Sequence, residues 1–269
     1  MAIACSTTAF SKQPLEVALF GIRELGFTRV DLLAVEGWAH MMPSDLVRNY
    51  DATSAHVDAA LRANHLTLAT VNVGFTPALH DRSSDAIVTR NAQTRALVRF
   101  MLQHRITVAT IQPRERAHDR PFETILSDSA ESLKEIVDVA EGTGITFALE
   151  CHTGSVAESL TSALELLHMV PQLKVAYDPS HLIMHEFELE DSEPLLNKAA
   201  IVYLRDSAPG HIQSPFGQGT TDFDWILNRC KAMRYRGDFV VEYLDGEGQE
   251  DIKPDIIAMR NKIAQYFPG

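Results

Sequence analysis

Short apolar runs alternate along the whole chain with longer stretches whose apolar positions fall three and four residues apart, eight of each. The runs at 2–7, 29–34, 66–73, 107–112, 146–152, 173–178, 201–206 and 238–244 predict strands. The stretches at 14–27, 51–64, 84–104, 122–142, 157–169, 192–199, 221–234 and 252–267 predict helices. In the first helix Leu15, Ala18, Leu19, Ile22 and Leu25 share one face and Gly26 stops it. Pro121 opens the fourth, Gly142 and Gly144 close it, and Asp222 offers a cap to the seventh.

Near-continuous apolar strands, each followed by an amphipathic helix, predict a parallel sheet covered by helices. Eight such units in 269 residues fit an α/β fold of the (β/α)8 TIM barrel type, one domain over 1–269, with its active site at the C-terminal ends of the strands. An open doubly wound sheet would want a glycine-rich phosphate loop after the first strand, and residues 6–12 contain no glycine.

Reactive side chains gather at the ends of the last four strands. Phe147-Ala-Leu-Glu150-Cys-His152 ends in a carboxylate and an imidazole, and Val175-Ala-Tyr-Asp178-Pro-Ser-His181 does the same. The seventh strand ends in Tyr203, Arg205 and Asp206, and the eighth in Glu242. A closed barrel brings Glu150, Asp178 and Glu242 within a few ångströms of one another, where they repel unless a cation or protons neutralise them. Oxygen ligation favours Mg²⁺ or Mn²⁺, and an added histidine admits Zn²⁺, Co²⁺ or Fe²⁺. The same carboxylates also read as solvated loop anions or as partners of nearby Arg and Lys. Arg205 then pairs with a neighbour such as Asp206, and His152 makes a structural hydrogen bond.

Charge and cysteine usage narrow the setting. A net charge of −12 and a pI of about 5.3 argue against nucleic acid or an anionic membrane as partner, leaving a small molecule. Cys5, Cys151 and Cys230 are scattered and form neither a disulfide framework nor a CxxC pair, which suits a reducing compartment. There is no basic-then-apolar leader and no apolar run of about 18 residues, so a cytoplasmic protein is expected. His56, His65, His104 and His168 fall on helices or their ends and read as surface residues.

Taken in order, Leu149-Glu150-Cys-His152, Tyr177-Asp178-Pro-Ser-His181, Tyr203-Leu-Arg-Asp206, Gly217-Gln-Gly219-Thr-Thr-Asp222-Phe223 and Val241-Glu242 resemble the sugar phosphate isomerase/epimerase superfamily. These are the xylose isomerase-like barrels that include ketose 3-epimerases, hydroxypyruvate isomerases and inosose dehydratases. The resemblance implies that Glu150, Asp178 and Glu242 ligate a divalent metal and that the two glutamates move the proton. It implies that His152, His181, Arg205 and Tyr203 lie against the substrate, a small carbohydrate or polyol, and that the Gly217–Gly219 segment packs the barrel rim. Barrels of this family often pair, and a homo-oligomer is left open. Where the family carries a metal-binding histidine on the seventh strand, this chain has Tyr203. Three carboxylates with water or His181, a Tyr203 phenolate, a substitute His211, or loss of the metal all stay open. The apurinic-site endonucleases of the same superfamily bind zinc through histidines near Asn72 and Gln112, and the amides here argue against that activity.

Two classes of function follow. One is a divalent-metal-dependent isomerase or epimerase of a hydroxy-ketone, working by glutamate proton transfer through an enediolate; a dehydratase or other lyase on a cyclic keto-polyol would use the same site. The other is a metal-free barrel that serves as a binding or partner subunit.

Overall fold

The computed structural model of the chain describes residues 1–246 and 251–268. Eight parallel strands close on themselves: β1 (Ile3–Ser6), β2 (Arg29–Val35), β4 (Thr67–Gly74), β5 (Val108–Ile111), β6 (Thr146–Glu150), β7 (Lys174–Tyr177), β8 (Ala199–Leu204) and β9 (Asp238–Val241). Their order runs β1-β9-β8-β7-β6-β5-β4-β2, and the pairing of β1 with β2 completes the circle. The expected TIM barrel is therefore the fold. A short β3 (Trp38–His40) hairpins back antiparallel onto β2 through Gly37, whose φ of +78° is a conformation glycine adopts freely. The spacing of apolar residues predicts no strand over this segment.

Helices wrap the outside: α1 (Leu15–Glu24), α2 (Pro43–Arg48), α3 (Tyr50–Asn64), α4 (Ser84–His104), α5 (Phe122–Val139), α6 (Leu160–Met169), α7 (Pro179–Met184), α8 (Glu193–Leu196), α9 (Phe223–Ala232) and α10 (Lys253–Tyr266). The starts of α3, α4, α6 and α9 are held by side chains of Asn49, Ser83, Ser159 and Asp222, each accepting from a first-turn N–H. Among the described residues no helix is long and apolar enough to cross a membrane. One surface expectation is corrected: His104 packs its ring 4.2 Å from Phe100, and its side chain is only 9% exposed.

Strand alternation divides the core in two. Phe147, Leu149, Val175, Tyr177, Val202, Leu204, Phe239 and Val241 point outward to the helices. Ala148, Ala176, Tyr203 and Val240 point inward, with Ala4, Ala69 and Ile201, and fill the barrel's centre. Most of these inward residues are small because the Tyr203 ring occupies the space they enclose. One step further along each strand, on the same inward face, come Glu150, Asp178, Arg205 and Glu242. A two-residue period and four strands thus aim four charged groups at one mouth.

Candidate active site

Asp178 is fixed by its own surroundings. It ends β7 and caps α7, with Pro179 in the first turn, so its Oδ1 accepts from the Ser180 N–H at 2.9 Å and from the Ser180 hydroxyl at 2.6 Å. Helix α7 was not expected. Its Asp-Pro start signal was present, but the segment read as the loop after a strand end. The other oxygen, Oδ2, accepts from Arg205 Nη2 at 2.7 Å. Arg205 also donates from Nε to Ser180 Oγ at 2.8 Å and brings Nη1 to 3.6 Å from Glu242 Oε2. Its partner is therefore Asp178 at the end of the neighbouring strand, and not the adjacent Asp206.

Asp206 has a separate task. Its carboxylate accepts from the N–H groups of Ser207, Gly217 and Gly219. The Gly217–Gly219 segment is thereby tied to the rim. A Cβ on Gly219 would lie 2.2 Å from Asp206 Oδ1, so this approach requires glycine.

Glu150, Asp178 and Glu242 are all buried, and each offers an oxygen such that the three lie within 4.8 Å of one another. The sequence-derived cluster is assembled. Glu242 accepts from the Asn72 amide at 3.4 Å, whereas Glu150 Oε2 is buried with no hydrogen-bond partner. Burial pushes Glu150 up to about 7, the Asp178 anion adding to the effect while His152 and Arg205 oppose it. Burial also pushes Glu242 well above the carboxylate range, with Arg205 opposing and Glu150 and Asp178 reinforcing. For Asp178 burial acts upward too, but Arg205, His181 and the Ser180 hydrogen bonds outweigh it and hold the carboxyl below its ordinary value.

These residues fit a divalent cation. Fully ionised, three carboxylates and one guanidinium carry a charge of −2, which a single M²⁺ balances, and the orphaned Glu150 oxygen is a ready ligand. Tyr203 does not join them. Its hydroxyl donates to Asp31 Oδ1 at 3.3 Å and pairs with Thr110 Oγ1 at 2.8 Å, and burial raises its pKa far above 10, so it is a neutral phenol below the cluster. His211 is exposed on its loop.

A second set, Glu150, His152 and His181, also brings ligand atoms within 4.8 Å. A donor faces each nitrogen of the His181 ring: the Thr153 N–H at 3.2 Å from Nδ1, and Arg205 Nη2 at 3.2 Å from Nε2. Burial keeps that ring neutral, pushing its pKa down to about 4. Arg205 Nη2 can only donate to Nε2, which also lies 3.6 Å from Glu150 Oε1 and 3.7 Å from Asp178 Oδ2. His152 donates from Nδ1 to the Thr153 carbonyl at 2.8 Å and packs its ring 4.4 Å from that of His181.

A cavity of about 270 Å³ opens directly above this cluster, lined by Glu150, His152, His181, Arg205 and Glu242. Its remaining wall includes Trp38, Gln112, Met184 and Ile212. Tyr203, expected against the substrate, lies outside this lining set. Sequence reasoning missed Met184, the last residue of α7, and Ile212, in a loop, apolar residues with no pattern to mark them. Trp38 stands on the wall because of the β3 hairpin. A wider outer chamber of about 700 Å³ adjoins the inner one and shares Trp38, Gln112, His152 and Thr153 with it.

Comparison with known proteins agrees with this construction. The chain is 24% identical over 137 residues to L-ribulose-5-phosphate 3-epimerase UlaE of Shigella boydii, an alignment covering 49% of this chain and 48% of that protein, so the chain spans about half the length of the curated relatives it matches. Among solved structures it is similar to D-allulose 3-epimerase from Methylomonas sp. in complex with D-allulose (TM-score 0.78, 14% identity, 99% of this chain and 97% of that one). It is also similar to a barrel protein from Mycobacterium smegmatis in complex with magnesium (TM-score 0.75, 16% identity, 98% and 96%). Residues 21–262 match one family along nearly their whole length, and the chain belongs to the xylose isomerase-like TIM barrels.

Proposed function

We propose that this protein is an isomerase or epimerase of a small hydroxy-ketone sugar, with Glu150 and Glu242 exchanging the proton next to the carbonyl. The observation that carries the proposal is the convergence of Glu150, Asp178 and Glu242 at the floor of a small cavity. Glu150, Asp178 and Glu242 would hold a divalent ion, Mn²⁺ or Mg²⁺ by their all-oxygen character, and such an ion supplies polarisation of the carbonyl and stabilisation of the charge that develops on its oxygen.

The chain's own groups do the rest. Two buried carboxyls with unequal proton affinity suit a two-base exchange, in which one removes the proton while the other returns one to the opposite face. Glu150 Oε2 has no competing hydrogen bond and is free to accept. The Arg205 guanidinium, beside His181 on the cavity wall, donates toward substrate oxygens and favours the enediolate over the ketone. Trp38 offers an apolar face for a sugar ring. The names of the relatives make L-ribulose 5-phosphate and D-allulose sensible first substrates.

The test is solvent exchange. Protein loaded with Mn²⁺ is incubated with each ketose in D₂O, and deuterium at the carbon next to the carbonyl is followed by NMR. Glu150→Gln and Glu242→Gln should each lower the exchange rate by about 10²–10⁴-fold, the span of general acid–base catalysis. Exchange that persists at the parental rate in both variants would overturn the assignment of the two glutamates.

A further inference from the structure

Of the four strands that meet at this mouth, β6, β7 and β9 each bring an anion and β8 brings a cation. The Arg205 guanidinium is buried, 2% exposed, and lies among the groups that would bind a metal. Nη2 is 2.7 Å from Asp178 Oδ2, Nη1 is 3.6 Å from Glu242 Oε2, and Nε is anchored on Ser180 Oγ at 2.8 Å. Ser180 Oγ in turn donates to Asp178 Oδ1, so the arginine, the serine and the aspartate form a closed clamp. Both oxygens of Asp178 are engaged within it.

A buried guanidinium is costly unless it is paired and hydrogen-bonded, and this one is both. The carboxylates that compensate it are the prospective ligands. An incoming M²⁺ therefore meets a like charge at close range and must share or displace an existing partner of Asp178. Tyr203 deepens the effect. The inward position of β8 just below Arg205 holds a neutral phenol tied to Thr110 and Asp31, so β8 contributes no ligand to offset the repulsion.

We propose that Arg205 is a resident counter-ion that competes with a divalent cation for Asp178, so that the site holds its metal loosely and Asp178 stays paired when the metal leaves. Binding then shifts the guanidinium away from Asp178 Oδ2 and toward the open cavity that Arg205 already lines. The inference rests on reading Glu150, Asp178 and Glu242 as a cation site.

Mn²⁺ titration of chelator-stripped protein tests it, with free ion read from its EPR signal. Arg205→Met should bind Mn²⁺ at least tenfold more tightly than the parent, and Asp178→Asn should abolish binding. Equal or weaker binding by Arg205→Met, with the parent still binding, overturns the competition and leaves the cation site standing. Absence of binding of Mn²⁺, Mg²⁺, Co²⁺ and Zn²⁺ by either protein overturns both. Should Arg205→Met fail to fold, a crystal structure of the parent soaked in Mn²⁺ decides the matter. An Nη2 to Asp178 Oδ2 distance beyond 3.5 Å is the expected result, and an unmoved contact with the ion in place refutes the proposal.

Discussion

Replacing Tyr203 with phenylalanine removes one hydroxyl from the middle of the barrel and leaves the ring in place. Tyr203 is fully buried, so no water reaches the vacated position from the surface. Two groups lose their partner: Thr110 Oγ1, 2.8 Å away, and Asp31 Oδ1, 3.3 Å away. Asp31 keeps its other bond, from Ser6 Oγ to Oδ2 at 2.7 Å, whereas the Thr110 hydroxyl is left without a side-chain partner among the described residues. A net hydrogen bond is worth about 1 kcal/mol and a stranded buried group about 1–3 kcal/mol, so Tyr203→Phe should cost about 2–3 kcal/mol. At roughly 2 cal/mol/K per residue for the unfolding entropy, that loss lowers Tm by about 4–5 °C in a chain of this length. Urea unfolding followed by circular dichroism measures it, and an unchanged m-value confirms that the denatured state is the same. A loss below about 0.5 kcal/mol would refute the account of Tyr203 as a hydrogen-bonded plug.

Two further predictions follow from neighbouring features. Burial pushes Asp31 up to about 7 from an ordinary 3.8, so the folded state holds a proton that the unfolded chain gives up, and stability falls as pH rises through that window. Asp31→Asn should therefore gain on the parent between pH 4 and pH 8, by no more than about 4 kcal/mol at 1.36 kcal/mol per unit, and paired urea midpoints at the two ends check it. Gly219→Ala places a methyl 2.4 Å from the Ser207 carbonyl as well as against Asp206, an overpacking worth about 1–3 kcal/mol. Faster proteolytic cleavage within 207–220 together with a lowered Tm is the expected outcome, and parental behaviour in both would count against the tie described for Asp206.

The barrel and its three carboxylates were readable because both follow from short-range rules. A run such as Phe147-Ala-Leu-Glu150 shows its period and its break in the sequence itself, and closure of eight such runs leaves the inward ends no choice but to converge. What escaped was set by contacts between distant residues. Arg205 looked like a partner for the residue beside it, yet strand alternation turns Asp206 away to the Gly217–Gly219 loop and leaves Arg205 facing Asp178. Tyr203 stood as a candidate phenolate ligand until its hydroxyl was found directed at Thr110 and Asp31, partners more than ninety residues away. His181 was legible as a site residue, but the donors that face its ring, the Thr153 N–H and Arg205 Nη2, are supplied only by the fold.

The packed interior of the barrel has a bearing on traffic. Tyr203 and its ring of small neighbours seal the floor, so among the described residues the carboxylates are reached from above, through the cavity that Glu150 and Glu242 line. Under the proposed function order of arrival would matter there: an ion would have to enter before the sugar that then covers it. Turnover could then proceed on a loosely held ion, because each occupied site would be corked by its own reactant.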